Sequence, residues 1–313
     1  MKIYNKIVTI TIGTIALYAI FLIISDFNTI INKISNFKSE FIPLILLLVT
    51  STWFILFARW NLLLKNSKII IPKKNSFIIF LSGFALTIIP GKVGELIKSQ
   101  LLKTKFGISR TRTAPIVIME QLYNVIGIML ASIFGIWNFE LGIYIMSVFS
   151  ILLIFLLVLI SSKKFFLKLM FLATKIKVLS KFSEELSYSH DIIIKSTRGS
   201  IVFYASALSA LFWLVESFTV YLILLSFGIE SIEILKIIPI YTTSIMLGVL
   251  SFLPLGIGVV EGSLASFLTL QGIDVSIVLT LVIIIRIFTR WYSVSAGFIA
   301  LKLSGGLKKD SSD

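Results

Sequence analysis

The chain has 313 residues, 57% of them hydrophobic and only 14% charged, with a mean hydropathy of +1.03. Several apolar runs reach membrane-helix length, which excludes a soluble domain, and the lack of cysteine excludes disulfides, zinc–thiolate sites, iron–sulfur clusters and cysteine nucleophiles. The net charge of +14 would suggest nucleic acid in a soluble protein; here it follows the positive-inside rule and suits anionic lipid, so no nucleic-acid partner is expected.

Residues 7–25 form the first apolar run. It is long and lacks a small-residue cleavage signature, so it reads as a retained span rather than a signal peptide. Residues 41–64 make a second span, with Arg59 near its end and Lys65, Lys68, Lys73 and Lys74 just beyond. That basic flank reads as cytoplasmic and places the N-terminus inside. Residues 77–89 are too short to cross a core that takes about 20 residues. Pro90 and Gly91 interrupt them, and residues 93–102 run on into Lys103, Lys105, Arg110 and Arg112. Basic flanks on both sides predict a hairpin that enters from the cytoplasm and returns to it.

Residues 114–137 predict a span leading outward to Glu140, and residues 141–160 a span leading back. Residues 163–199 are strongly basic and therefore internal; Phe165, Phe166, Leu169, Met170 and Leu172 alternate with lysines there, as in an interfacial helix or a solvated basic loop. The single histidine, His190, reads as a solvated loop residue. Residues 201–227 lead outward to Glu230 and Glu233. The next apolar pair, residues 237–270, ends before Asp274, so this second hairpin has acidic flanks and opens outside. Residues 275–301 return to Lys302, Lys308 and Lys309, giving a cytoplasmic C-terminus.

The expected fold class is an all-α polytopic membrane protein with about six transmembrane helices and two re-entrant helical hairpins in an inverted repeat. Residues 1–313 form one integral domain, with half-repeats at 41–137 and 201–301. The hairpin tips carry the departures from a simple span. The second reads Leu253-Pro254-Leu255-Gly256-Ile257-Gly258-Val259-Val260-Glu261 and the first Pro90-Gly91-Lys92-Val93-Gly94-Glu95. Broken backbone in lipid is tolerated only where protein or a wet cavity surrounds it.

Ionisable residues deep in a membrane cost roughly 2.5–3.5 kcal/mol each and mark function by default. The candidates are Glu120, Glu216, Arg286 and Arg290, with Arg286 or Arg290 placed to neutralise Glu261 or Glu216; such a pair either serves the site or only locks helices together. The half-helices that start after Gly91 and Gly258 present free N–H groups that bind anions, phosphate included, with Lys92, Lys98 and Arg286 adding charge. Glu95 and Glu261 lie in the first turns, where they either cap the helix or bind a cationic or hydroxylated headgroup. The candidate substrate-binding set is therefore Gly91, Lys92, Gly94, Glu95, Lys98, Glu120, Glu216, Gly256, Gly258, Glu261, Arg286 and Arg290. No catalytic residue, metal or cofactor is expected: the sequence holds neither a phosphate-binding Gly-x-x-x-x-Gly-Lys-Ser/Thr loop nor an Asp-x-Asp pair.

On Pro90 to Leu96, Glu120-Gln121-Leu122-Tyr123-Asn124, Trp213 with Glu216, Leu253 to Glu261 and Arg286-Ile287-Phe288, the chain resembles the transmembrane region of the lysylphosphatidylglycerol synthase and flippase family. The likeness runs from Thr52 to Gly297 and departs at Asn124, where many relatives carry Asp. It implies movement of a lipid between leaflets. The aminoacyl-transferase domain of bifunctional members is absent from this sequence, so synthase activity is not implied. The alternatives are a membrane enzyme of lipid-linked glycan or headgroup modification and a non-catalytic assembly protein. Membrane lipids, either anionic phospholipid or polyprenyl-phosphate-linked lipid, are the expected partners. Self-association stays open, and the expected location is a prokaryotic cell membrane.

The charge pattern yields a topology test. Single cysteines introduced into this cysteine-free chain at Asn138 or Glu230 should label from outside, and one at Lys195 only after permeabilisation. External labelling at Lys195 would overturn the orientation.

Overall fold

A hydrocarbon slab has no water to satisfy backbone N–H and C=O groups, so an apolar run must close its hydrogen bonds internally. The described elements are accordingly all helical. The computed structural model describes residues 37–89, 94–161 and 190–306, together with Phe165 and Lys168. The expected span at 7–25, the tip residues Pro90, Gly91 and Lys92, most of the basic segment 163–199 and the lysines after residue 306 lie outside the described residues.

The elements, in order, are α1 (Ile42–Asn66), α2 (Lys73–Ala85), α3 (Ile97–Phe106), α4 (Arg110–Ser132), α5 (Glu140–Ser161), α6 (His190–Ser196), α7 (Ser200–Ser226), α8 (Ile234–Leu250), α9 (Val259–Leu270), α10 (Val275–Arg286) and α11 (Tyr292–Leu303). A π-helical turn, Ile287–Trp291, joins α10 to α11 without a break. Among the described residues, four helices are long and apolar enough to cross a membrane: Ser39–Asn66, Arg110–Ser132, Ser200–Ser226 and Val275–Leu303.

One expected boundary moves. The run at 114–137 becomes α4, which begins at Arg110 and ends at Ser132. Gly135 then takes φ +105° and a short 3-10 turn, Ile136–Asn138, leads into α5. The apolar signal outlasts the helix because Ile133, Phe134 and Trp137 are exposed large hydrophobics in this turn, as suits chain facing a lipid interface. Of the basic segment, α6 packs on α4, and the Tyr123 hydroxyl donates to the Ser196 carbonyl at 2.5 Å. That part is held by the bundle rather than solvated.

Lipid offers no hydrophobic drive to join helices, so close van der Waals packing at small residues has to supply much of it. The most extensive contacts pair α1 with α7, α2 with α11 and α4 with α7, followed by α8 with α9, α7 with α8 and α4 with α8. The Lys38 amide meets the Ser226 carbonyl at one end of α1 and α7, and Arg59 meets Ser209 further along, so these two helices run antiparallel. Gly127 of α4 lies on Ser209 of α7, where a Cβ would come within 2.5 Å of the Ser209 Cβ and 2.6 Å of its backbone carbon. Gly297 of α11 lies on α2, where a Cβ would sit 2.3 Å from the Ala85 nitrogen. Outward, α5 exposes Tyr144, Val148, Ile151, Ile154, Phe155 and Val158.

These approaches predict that Gly127→Ala lowers the melting temperature in detergent, at a cost of about 1–3 kcal/mol from overpacking against fixed backbone. Gly262→Ala is the control. A Cβ there meets nothing within 4 Å, so that change should be neutral or slightly stabilising.

Candidate functional site

Among the described residues, two buried charge networks lie in the bundle, one centred on each half of the chain. In the first, α3 carries Lys98, whose ammonium donates to Glu95 Oε2 at 3.0 Å and to Glu120 Oε2 on α4 at 2.7 Å. The ammonium also lies 5.2 Å from the Trp60 ring centre and 5.8 Å from that of Phe80. Arg59 of α1 is buried beside them and donates from Nη1 to Asn124 Oδ1 at 2.8 Å and to Ser209 Oγ at 2.7 Å. Four helices, α1, α3, α4 and α7, thus meet around these groups.

The second network builds on the break between α8 and α9. Phe252 and Leu255, both non-glycine, take φ of +53°, a region costly for L-residues that persists where surroundings hold it. Arg286 of α10 does the holding: its Nη2 donates to the Leu255 carbonyl at 2.6 Å while its Nε lies 2.7 Å from Glu261 Oε1. The other oxygen of Glu261 accepts the Gly258 amide at 2.7 Å, so this carboxylate caps α9 and neutralises Arg286 at once. Gly258 stands at φ +83°, which suits a residue without a Cβ. The anion favoured by this helix end is thereby supplied by the chain itself.

On the next turn Arg290 forks onto Glu216 of α7, with Nη1–Oε1 at 3.2 Å and Nη2–Oε2 at 2.9 Å. The Tyr241 hydroxyl of α8 donates to Glu216 Oε2 at 2.9 Å. The Arg290 guanidinium also lies 5.6 Å from the Trp213 ring centre.

A cavity of about 270 Å³ opens between the networks. Its wall draws Thr87, Ile89 and Glu95 from around the first break and Leu253, Leu255 and Gly256 from the second. Glu216, Arg286 and Arg290 also line it, with Gln121, Asn124 and Trp213. Trp53 lines it too, its indole N–H donating to Ser293 Oγ at 3.0 Å.

Of the candidates read from the sequence, Glu95, Glu216, Gly256, Arg286 and Arg290 therefore share one cavity. Lys98, Glu120 and Glu261 stand behind it as partners in the two networks, Gly258 serves as the cap, and Gly94 abuts the Leu86 carbonyl. Glu120, one of the candidate substrate-binding residues, is turned to Lys98. Gly91 and Lys92 lie outside the described residues. Sequence reasoning placed Arg59 inside the 41–64 span but left it out of the candidate set, yet it is buried; its place inside an apolar run, about two turns before α1 ends, was the signal. Tyr241 was missed as well, although a buried tyrosine hydroxyl generally needs a partner.

Glu261→Gln should strand Arg286 without its counter-charge and destabilise the protein by about 3–5 kcal/mol, read as a fall in melting temperature in detergent. Glu261→Gln with Arg286→Met should recover much of that loss. A single variant as stable as wild type would refute the linkage between tip and span.

A family model described as the lysylphosphatidylglycerol synthase TM region matches residues 8–297. A UPF0104 membrane protein of Methanocaldococcus jannaschii is 27% identical over 222 residues, covering 69% of this chain and 92% of its own length. Two UPF0104 membrane proteins of Methanothermobacter thermautotrophicus match shorter stretches. One is 27% identical over 34% of this chain and 31% of its own length, the other 32% identical over 29% and 27%. Against those two, the match spans less than a third of the relative.

Proposed function

The chain belongs to the lysylphosphatidylglycerol synthase transmembrane-region family, and from that premise we propose that it is a lipid translocase of a prokaryotic cell membrane, moving a phospholipid or lipid-linked headgroup between leaflets. The observation that carries the reading is a cavity of about 270 Å³ whose wall is drawn from both chain breaks and includes the Arg290–Glu216 pair. A headgroup in hydrocarbon needs such a wall, because its lost hydration has to be replaced by fixed polar groups.

In this reading α2 with α3, and α8 with α9, are re-entrant hairpins opening to opposite faces. Residues 41–137 and 201–301 are inverted halves of one integral domain, and both termini are cytoplasmic. The antiparallel run of α1 and α7, the leading spans of the two halves, supports that symmetry. So does the exchange in which α4 packs on α8 while α11 packs on α2. Transporter sites built from inverted repeats lie where interrupted helices meet near the midplane. Movement is downhill or coupled to ions or protons, since the sequence has no nucleotide-binding loop.

The test is reconstitution. Vesicles holding the purified chain should exchange chain-labelled lipid between leaflets faster than empty vesicles, as read by dithionite quenching of the outer leaflet. Val125 lines the cavity, and Val125→Trp, which fills it, should slow exchange by roughly tenfold or more while the protein stays folded. Exchange no faster than in empty vesicles would refute the function; unaltered exchange in the variant would remove the cavity from the route.

A further inference from the structure

The charges in the cavity wall narrow the class of headgroup. Of the three cations that meet carboxylates in the two networks, Arg290 is the most open: its side chain keeps 21% of its surface exposed, against 1% for Arg286 and 2% for Lys98. Both Arg290 and Glu216 line the cavity, whereas Lys98 and Glu261 do not. Building on the translocase reading, we propose that the site takes a zwitterionic phosphoryl–ammonium headgroup, and that Arg290 and Glu216 part to receive its two charges.

Charge compensation gives the reason. A buried ion pair is costly to open when one partner is left alone. An anionic headgroup drawn to Arg290 would displace Glu216 and leave that buried carboxylate without the cation that holds it by two bonds. A cationic headgroup drawn to Glu216 would strand the guanidinium. A headgroup carrying both charges on a short carbon spacer replaces each partner by its equivalent: phosphoryl oxygens take the fork of Arg290, and the ammonium takes Glu216. Arg290 suits the first role because a planar guanidinium meets a phosphate bidentately.

The surroundings suit the second role. Tyr241 stays on Glu216 by its hydroxyl and orients the carboxylate as the arginine moves. The Trp213 face that now lies 5.6 Å from the Arg290 guanidinium is an aromatic surface already placed against a cation, and an incoming ammonium can use it. The volume, about 270 Å³, is just below the usual range of ligand pockets and suits a headgroup rather than acyl chains. A neutral glycosyl headgroup would leave the pair closed and gain nothing from it. The lipid that fits this wall therefore has a net charge of zero, unlike the anionic lipid expected from sequence.

The experiment uses the full chain in vesicles of galactolipid and phosphatidylglycerol, so that the host contains no zwitterion. Chain-labelled phosphatidylethanolamine, phosphatidylglycerol and galactosyl diacylglycerol are followed in parallel. Wild type should move phosphatidylethanolamine roughly tenfold faster than the other two. The double variant Glu216→Gln with Arg290→Gln, which removes both charges together and strands neither, should lose that preference. Equal rates in wild type, or a preference retained by the double variant, would overturn the headgroup assignment and leave translocation standing.

If no tracer moves, translocation fails, and tryptophan fluorescence titrated with short-chain phosphatidylethanolamine or phosphatidylglycerol decides the assignment. A response specific to the zwitterion and absent from the double variant upholds it; any other pattern refutes it. Free glycerophosphoethanolamine competing as strongly as the short-chain lipid would assign the site to a soluble ligand and overturn the lipid source.

Discussion

The structure depends on one constraint: charge carried into hydrocarbon has to be answered by a charged or polar partner on another helix. Lys98 joins α3 to Glu120 on α4, Arg286 joins α10 to the start of α9, and Arg290 joins the π turn to Glu216 on α7. None of these contacts is local decoration. Each ties a broken segment or a neighbouring span to a partner distant in sequence, and removing Glu261 or Arg290 takes from Arg286 or Glu216 the opposite charge it touches. Such pairs add little net stability over apolar packing, yet they are demanding about geometry. That suits fixing where interrupted helices stop.

The two breaks are held differently. The second carries backbone in a costly region at Phe252 and Leu255. It persists because Arg286 grips the Leu255 carbonyl while Glu261 grips both Arg286 and the Gly258 amide. A single carboxylate therefore acts as cap, counter-ion and brace. At the first break, Glu95 reaches the cavity wall but answers to Lys98, which is shared with Glu120. The half-helix end that an external anion would favour is, at α9, filled by the protein's own acid.

Close helix approach makes these networks possible. Side chains as short as Asn124 and Ser209 reach Arg59 because Gly127 lets α4 lie against α7. The Trp213 indole N–H, donating to the Asn124 carbonyl at 3.0 Å, ties the same two helices beside the cavity. Small residues, interhelical hydrogen bonds and charge compensation thus act at one crossing rather than at separate places. That crossing adjoins the wall that would meet a headgroup.

The sequence by itself determined the solvent and much of the element order. Apolar runs long enough to cross hydrocarbon become helices because nothing else satisfies their backbone there, and Pro254 with Gly256 and Gly258 marks a break since the residue types forbid a straight helix. It also named Glu216, Glu261, Arg286 and Arg290 as charges in need of partners, because a charge inside an apolar run is conspicuous. Tertiary structure alone decided which pairs form: Arg286 with Glu261 and Arg290 with Glu216 were two of several combinations the spacing allows. It also set Glu120 on Lys98 and joined Arg59, which the sequence placed only near the end of an apolar run, to Asn124 and Ser209. The physical reason is range. Helix formation is read from neighbours a few residues apart, whereas compensation of a buried charge depends on which distant helix face arrives within three ångströms or so, and only the packed bundle sets that.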